Sequence, residues 1–128
     1  MKKISNIFFK KKILIYGLGK SGIATYNFLR QKAEINLFDD NFQNNLRFDK
    51  RFLSYTKILK SDFDSIIISP GIDTNQCRLS KYLKQKSSKI YTDLDVFYSF
   101  FSNDSITITG TNGKSTTAKL LYDILNDQ

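Results

Sequence analysis

Two short stretches hold residue types that bind phosphate. The first is Gly17-Leu-Gly-Lys-Ser-Gly22, with glycines at 17, 19 and 22. Glycines at this spacing permit a tight turn and let a phosphate approach the backbone. The helix expected behind the turn offers unpaired N–H groups and a partial positive charge, and Ser21 opens it. Asp39 follows about twenty residues on, where an acid in a dinucleotide-binding fold accepts from a ribose hydroxyl. The second stretch is Thr109-Gly-Thr-Asn-Gly-Lys-Ser-Thr116. Here the physics is that of a phosphate loop. Backbone amides from Gly110 through Thr111, Asn112 and Gly113 surround phosphate oxygens, Lys114 neutralises the terminal phosphates, and the Ser115 hydroxyl, followed by Thr116, is placed to ligate Mg²⁺. The common phosphate loop wants glycine five positions before Gly113, and this chain has Ile108 there.

Both motifs need a strand before and a helix after, and the hydrophobic pattern predicts both. Ile13–Tyr16 reads as a buried strand, and Ser21–Lys32 as the helix behind the first glycine turn. Glu34–Phe38 and Ser65–Ser69 read as strands, the latter stopped by Pro70-Gly71. Asn75–Lys86 is expected to be a helix with Leu79, Tyr82 and Leu83 on one face, and Cys77 falls within it. Lys89–Tyr91 reads as a short strand. Asp93–Phe101 reads as a helix with Leu94, Phe97 and Phe101 aligned. Ser105–Thr109 is then a strand and Ser115–Leu125 a helix with Leu120, Leu121, Ile124 and Leu125 on one side. Phe42–Lys60 has no clean period. Strands without strict alternation, separated by helices, predict an α/β fold, an open parallel sheet with helices on both faces. A polar break at Ser102-Asn-Asp104 divides the expectation into a domain over 1–102 and the first β-α unit of a second over 103–128.

Composition narrows the chemistry. The 128 residues contain no histidine, which removes Ser-His and Cys-His pairs and histidine-based metal sites. One cysteine, Cys77, cannot form an internal disulfide and reads as structural. The net charge is +8, but five lysines fall in the first twelve residues; the other fifteen basic residues face twelve acids and leave only +3. With no arginine cluster and no nucleic-acid motif, a nucleic-acid partner is not expected. Lys2, Lys3 and Lys10–Lys12 ahead of an apolar run imitate a signal peptide, but the run is short and Lys20 interrupts it. No stretch is long enough to span a membrane, and the expected location is the cytoplasm.

Taken together, four segments resemble the Mur ligase family, and most closely its D-glutamate-adding branch. They are the Gly17–Gly22 turn, Ser69-Pro-Gly-Ile72, the acidic-aromatic Asp93-Leu-Asp-Val-Phe97, and Gly110-Thr-Asn-Gly-Lys-Ser-Thr116. The alanine-adding branch usually carries histidine where this chain has Asn112. The resemblance implies a Rossmann-like first domain that holds the UDP part of UDP-N-acetylmuramoyl-L-alanine without NAD. Gly17, Gly19 and Lys20–Gly22 would lie beside uridine and pyrophosphate, Asp39 on the uracil, and Ser69, Pro70 and Gly71 along the same pocket. It also implies a central domain holding ATP and Mg²⁺, in which the substrate carboxylate is phosphorylated and D-glutamate attacks the acyl phosphate, a step in peptidoglycan precursor synthesis. Lys114 would be the catalytic cation and Ser115 a metal ligand. Asp40 and Asn41 stand where the family has Thr-Arg. The D-glutamate site and further Mg²⁺ ligands lie outside these residues, so the chain by itself is expected to be inactive. Two other readings remain open: an NAD-binding Rossmann domain, and a non-catalytic nucleotide-sugar-binding module.

Overall fold

Side-chain alternation along the strands decides the layers. On β1 (Lys12–Tyr16), Ile13 and Ile15 join one buried cluster, while Leu14 and Tyr16 join another. A strand that is apolar on both faces must be covered on both. The computed structural model describes residues 6–41 and 50–127, and in it β1 lies inside a four-stranded, all-parallel sheet. The order is β2 (Glu34–Phe38), β1, β3 (Ser65–Ile68), β4 (Ile90–Tyr91). Helices α1 (Lys20–Leu29) and α4 (Asp93–Phe100) cover one face, with Tyr26, Leu29 and Val96 packed among Ile13, Ile15, Ile35, Leu37 and Ile67. On the other face α2 (Tyr55–Leu59) and α3 (Ser80–Gln85) bring Ile58, Tyr82 and Leu83 onto Leu14, Tyr16, Phe38, Ile66 and Ile68. The expected α/β architecture, a Rossmann-like parallel sheet between helices, is therefore present.

Several elements differ from expectation for identifiable reasons. The helix expected over Asn75–Lys86 forms only from Ser80. Ahead of it the Asp73 carboxylate accepts from the Asn75 amide at 2.9 Å, and the Asp73 carbonyl accepts from the amides of Gln76 and Cys77. The side-chain bond competes with helix formation, and Cys77 sits in a turn, with its thiol 3.8 Å from the Thr74 carbonyl oxygen. Of the region without a clean period, residues 42–49 lie outside the described residues. Beyond them Phe52 makes a parallel bridge to Leu37, and α2 comes next. Lys2 and Lys3 of the charged start also lie outside the described residues. On α4 the aligned Leu94, Phe97 and Phe101 are exposed, and Val96 is the buried residue. That helix starts at a capping box, in which Thr92 accepts from the Asp95 amide and the Asp95 carboxylate accepts from the Thr92 amide.

Ser105–Thr109 forms no strand. A strand needs a partner for its amides and carbonyls, and among the described residues none pairs with this segment. The helix after it, α5 (Lys114–Asn126), is continuous, yet none of its residues is buried. Its apolar side, including Leu120, Ile124 and Leu125, is exposed. Among the described residues no helix is long and apolar enough to cross a membrane.

The end of α3 is tied to the start of β3 by charge. Asp62 accepts from the ammonium groups of Lys86 and Lys89, each at 3.0 Å, and these bonds hold its carboxyl down at about 2. The folded value lies below the unfolded one, so the contribution to stability is complete above the unfolded value of about 4 and declines below it, vanishing as pH falls through about 2. We expect the difference in melting temperature between the protein and Asp62→Asn to be constant above pH 5 and to close towards pH 2, as followed by circular dichroism across that range. A difference unchanged at pH 2 would show that the ion pairs contribute nothing.

Candidate functional site

The sheet order places β1 and β3 side by side at the centre, with β2 beyond one and β4 beyond the other. Chain connections leave in opposite directions from such a pair, and the crevice outside its carboxyl ends is where open α/β sheets bind ligands. Gly17 follows β1 and Ser69 follows β3, and the two touch. The Ser69 hydroxyl donates to the Gly17 carbonyl oxygen at 2.7 Å, and the Ser69 amide donates to the Tyr16 carbonyl at 3.0 Å. The glycine turn and the Ser69-Pro-Gly segment, fifty-two positions apart in sequence, thus share one wall of the crevice.

Two of the glycines are required by geometry. Gly17 has φ +95°, and a Cβ there would lie 2.8 Å from the Ser69 Cβ. At Gly22 a Cβ would lie 1.9 Å from the Gly17 carbonyl oxygen, so the first turn of α1 seats directly on the turn. At Gly19 a Cβ would meet no atom within 4 Å, and this residue is exposed, as are Lys20, Pro70 and Gly71. Gly19 also begins α1 without a side-chain cap, which leaves first-turn amides facing the crevice. Ser21 is half-buried and lines a second, largely apolar cleft of about 270 Å³ between α1 and α4, together with Phe28, Leu94, Phe97 and Phe101.

Asp39 is engaged with the same turn. One carboxylate oxygen accepts from the Leu18 amide at 2.6 Å and the other from the Asn41 amide at 2.8 Å. Next to it, the exposed Asp40 carboxylate accepts from the hydroxyl of Tyr16, whose ring is fully buried. Burial, followed by the bond to Asp40 and the nearby Cys77, pushes the Tyr16 hydroxyl well above its ordinary range, so it remains a donor at any physiological pH. Beside these acids lies a pocket of about 350 Å³, lined by Asp39, Asp40, Ser54, Tyr55, Thr56 and Arg78. The Tyr16 hydroxyl, Tyr55 and Arg78 carried no signal in the sequence. Tyr16 reads as strand core, and Tyr55 and Arg78 belong to no common motif.

The second loop is open. Thr109–Thr116 are all exposed. Gly110 and Gly113 have φ +150° and +76°, and Gly113 begins α5 with no side-chain cap. The Lys114 ammonium folds back to donate to the Gly110 carbonyl, closing the loop around its own backbone. The Ser115 and Thr116 side chains are exposed at the helix start.

Sequence comparison gives this geometry a context. A UDP-N-acetylmuramoylalanine--D-glutamate ligase of Rickettsia felis is 35% identical over 123 residues, 91% of this chain and 27% of the relative. The enzyme of the same name from Koribacter versatilis is 35% identical over 90% of the chain and 28% of the relative. For that from Aquifex aeolicus the figures are 34%, 89% and 25%. This chain is related to the UDP-N-acetylmuramoylalanine--D-glutamate ligases. It spans about a quarter of the length of these curated relatives, 25% to 28% in the three cases. No protein-family model matches it. The match runs through both glycine-containing loops, since it covers about nine-tenths of the chain.

The packing of Gly22 on Gly17 yields a test. Gly22→Ala places a methyl 1.9 Å from a backbone oxygen, and overpacking of this kind costs about 1–3 kcal/mol. Gly71→Ala, where a Cβ meets nothing within 4 Å, should leave stability unchanged. Urea unfolding of both variants measures this. Equal midpoints would show that the turn and helix are not in contact.

Proposed function

We propose that this chain supplies the UDP-substrate site and the ATP loop of a ligase that joins D-glutamate to UDP-N-acetylmuramoyl-L-alanine in peptidoglycan precursor synthesis. The observation that carries the reading is the meeting of Gly17 and Ser69 at the centre of the sheet's carboxyl edge, with the open Gly19 and the uncapped start of α1 beside them. That arrangement suits a diphosphate, which accepts hydrogen bonds from helix N-terminal amides, and it sits next to a pocket large enough for the rest of a nucleotide. The Asp39 carboxylate, bonded to the Leu18 and Asn41 amides, holds the turn in this shape.

The second loop fits ATP and Mg²⁺ in kind. Gly110 and Gly113 adopt positive φ values that favour glycine, so the loop is bare backbone at both positions, and α5 presents its uncapped amides there. Lys114 would hold the terminal phosphates, and Ser115 would be a metal ligand. Gly110, Thr111, Asn112, Gly113 and Thr116 would surround the phosphates. A carboxylate is a poor electrophile, and phosphorylation by ATP converts its oxygen into a leaving group. Lys114 contributes to that chemistry by stabilising charge as it develops.

Calorimetric titration of the chain with UDP-N-acetylmuramoyl-L-alanine and with NAD distinguishes the readings. We expect binding of the UDP compound, and Asp39→Ala should weaken it by about 1–3 kcal/mol by leaving the Leu18 amide unpaired. Binding of NAD with no binding of the UDP compound would overturn the proposal. We further expect these residues alone to release no phosphate from ATP in the presence of D-glutamate and the UDP-linked acceptor. Phosphoryl transfer needs Mg²⁺ held by more than one protein group and both reactants fixed in place, and Lys114 with Ser115 meets only part of that need. Phosphate release abolished by Lys114→Ala would sink this expectation.

A further inference from the structure

The amino edge of the sheet, opposite the crevice, is basic, and no part of the candidate site uses it. The turns that lead into the strands are tied together there. The Lys10 amide donates to the Lys32 carbonyl at 2.8 Å, and the Glu34 amide to the Lys11 carbonyl at 2.9 Å. Lys10 and Lys11 are exposed, as is Arg30 at the end of α1, two residues before Lys32. Lys10–Lys12, Arg30 and Lys32 outnumber Glu34 and Asp64, the acids that start β2 and precede β3. Asp62 adds nothing against them, since Lys86 and Lys89 already hold it.

Apolar side chains are set among these cations. Phe8 is fully buried and meets Tyr91 edge-on at 5.1 Å, while its neighbours Ile7 and Phe9 are 51% and 49% exposed. The turn that carries them is held from two sides, by the Lys10 bond to Lys32 and by the Asn6 side-chain amide, which donates to the Ser99 carbonyl at 2.7 Å. Ile7 and Phe9 therefore stand out from a fixed backbone. The Asn6 bond also brings the turn to the end of α4, where Phe101 is exposed and lies 5.9 Å from the Phe28 ring. The Lys32 ammonium covers that same ring at 4.1 Å from its centroid. Single exposed apolar residues need no partner. Apolar tips interleaved with cations match a bilayer interface, where the first enter the acyl boundary and the second meet anionic headgroups. A nucleic acid would use the cations and leave Ile7 without a role. We propose that the amino edge is a docking surface for a bilayer containing anionic lipid, with Ile7 and Phe9 entering the interface and Lys10, Lys11, Arg30 and Lys32 on the headgroups. The strands all run away from this edge, so the docked protein keeps the crevice at Gly17 and Ser69 open to solvent. The inference goes beyond the ligase reading and does not depend on it.

The test is flotation of the chain with vesicles of phosphatidylcholine alone and of phosphatidylcholine mixed with phosphatidylglycerol, at low and at high salt. We expect binding to the anionic vesicles alone, weakening as salt screens the charges. Lys10→Gln and Lys11→Gln should each lower the partition coefficient about fivefold. Phe9→Ser should lower it at every salt concentration, because what it removes is apolar contact. Lys81→Gln should change nothing, since this exposed lysine lies near the start of α3, towards the opposite edge. All four substitutions are at exposed residues, so the variants should fold, as thermal melting followed by circular dichroism would verify. Failure to bind anionic vesicles, or equal binding to neutral ones, would overturn the proposal. An equal loss in Lys81→Gln would reduce the effect to net charge and overturn the assignment to this edge. Unchanged binding by Phe9→Ser would overturn the insertion. Binding of a single-stranded RNA oligonucleotide in place of vesicles would assign the cations to a nucleic acid instead.

Discussion

The candidate site depends on how closely the backbone at the end of β1 can be approached from two sides. From one side the first turn of α1 seats on the Gly17 carbonyl, at a distance only a residue without Cβ permits, and from the other Ser69 packs against the Gly17 α-carbon. These contacts fix where α1 points, and therefore where its unpaired amides and partial positive charge are directed. They also bind β1 to β3 beyond the last ladder bond, through the Ser69 hydroxyl. An added methyl at Gly22 would push the helix away from the turn, and one at Gly17 would push the Ser69 segment away.

Acidic side chains finish what the glycines begin. Asp39 bonds the Leu18 amide and so ties the end of β2 to the turn after β1. Asp40 does the same one residue later through the Tyr16 hydroxyl. Both carboxylates sit at the carboxyl edge of the sheet, close to where an anionic ligand would bind. Bonding to backbone amides and a phenol offsets part of the repulsion this would bring. This edge of the sheet is thus organised by carboxylates acting as acceptors for the backbone and the Tyr16 hydroxyl.

The second glycine loop presents the opposite case. Its local features are in place: glycines with positive φ, a helix of thirteen residues and a lysine bonded across the loop. What is missing is tertiary support, since the segment before it pairs with no strand among the described residues and the helix buries no side chain. Helix and loop geometry are determined over a few residues, whereas a strand exists only through its neighbours.

The parallel sheet, its helices on both faces, and both glycine loops were legible from apolar runs and glycine spacing, because those signals act over a few residues. The same local rules misjudged residues 75–79, where the Asp73 side chain offers the backbone another partner. They also passed over α2, whose five residues are too few to show a helical period. That Leu94, Phe97 and Phe101 share a face was readable, but their exposure was not, since periodicity names a face and never its neighbour. The candidate site divides in the same way. The sequence by itself determined that Gly17, Gly19 and Gly22 form a turn and that Asp39 ends the next strand. Only the tertiary structure decided that Asp39 would hold the turn, that Ser69 would close on Gly17, and that Tyr55 and Arg78 would meet beside them. Those contacts join segments tens of residues apart, and strand order sets which ends become neighbours.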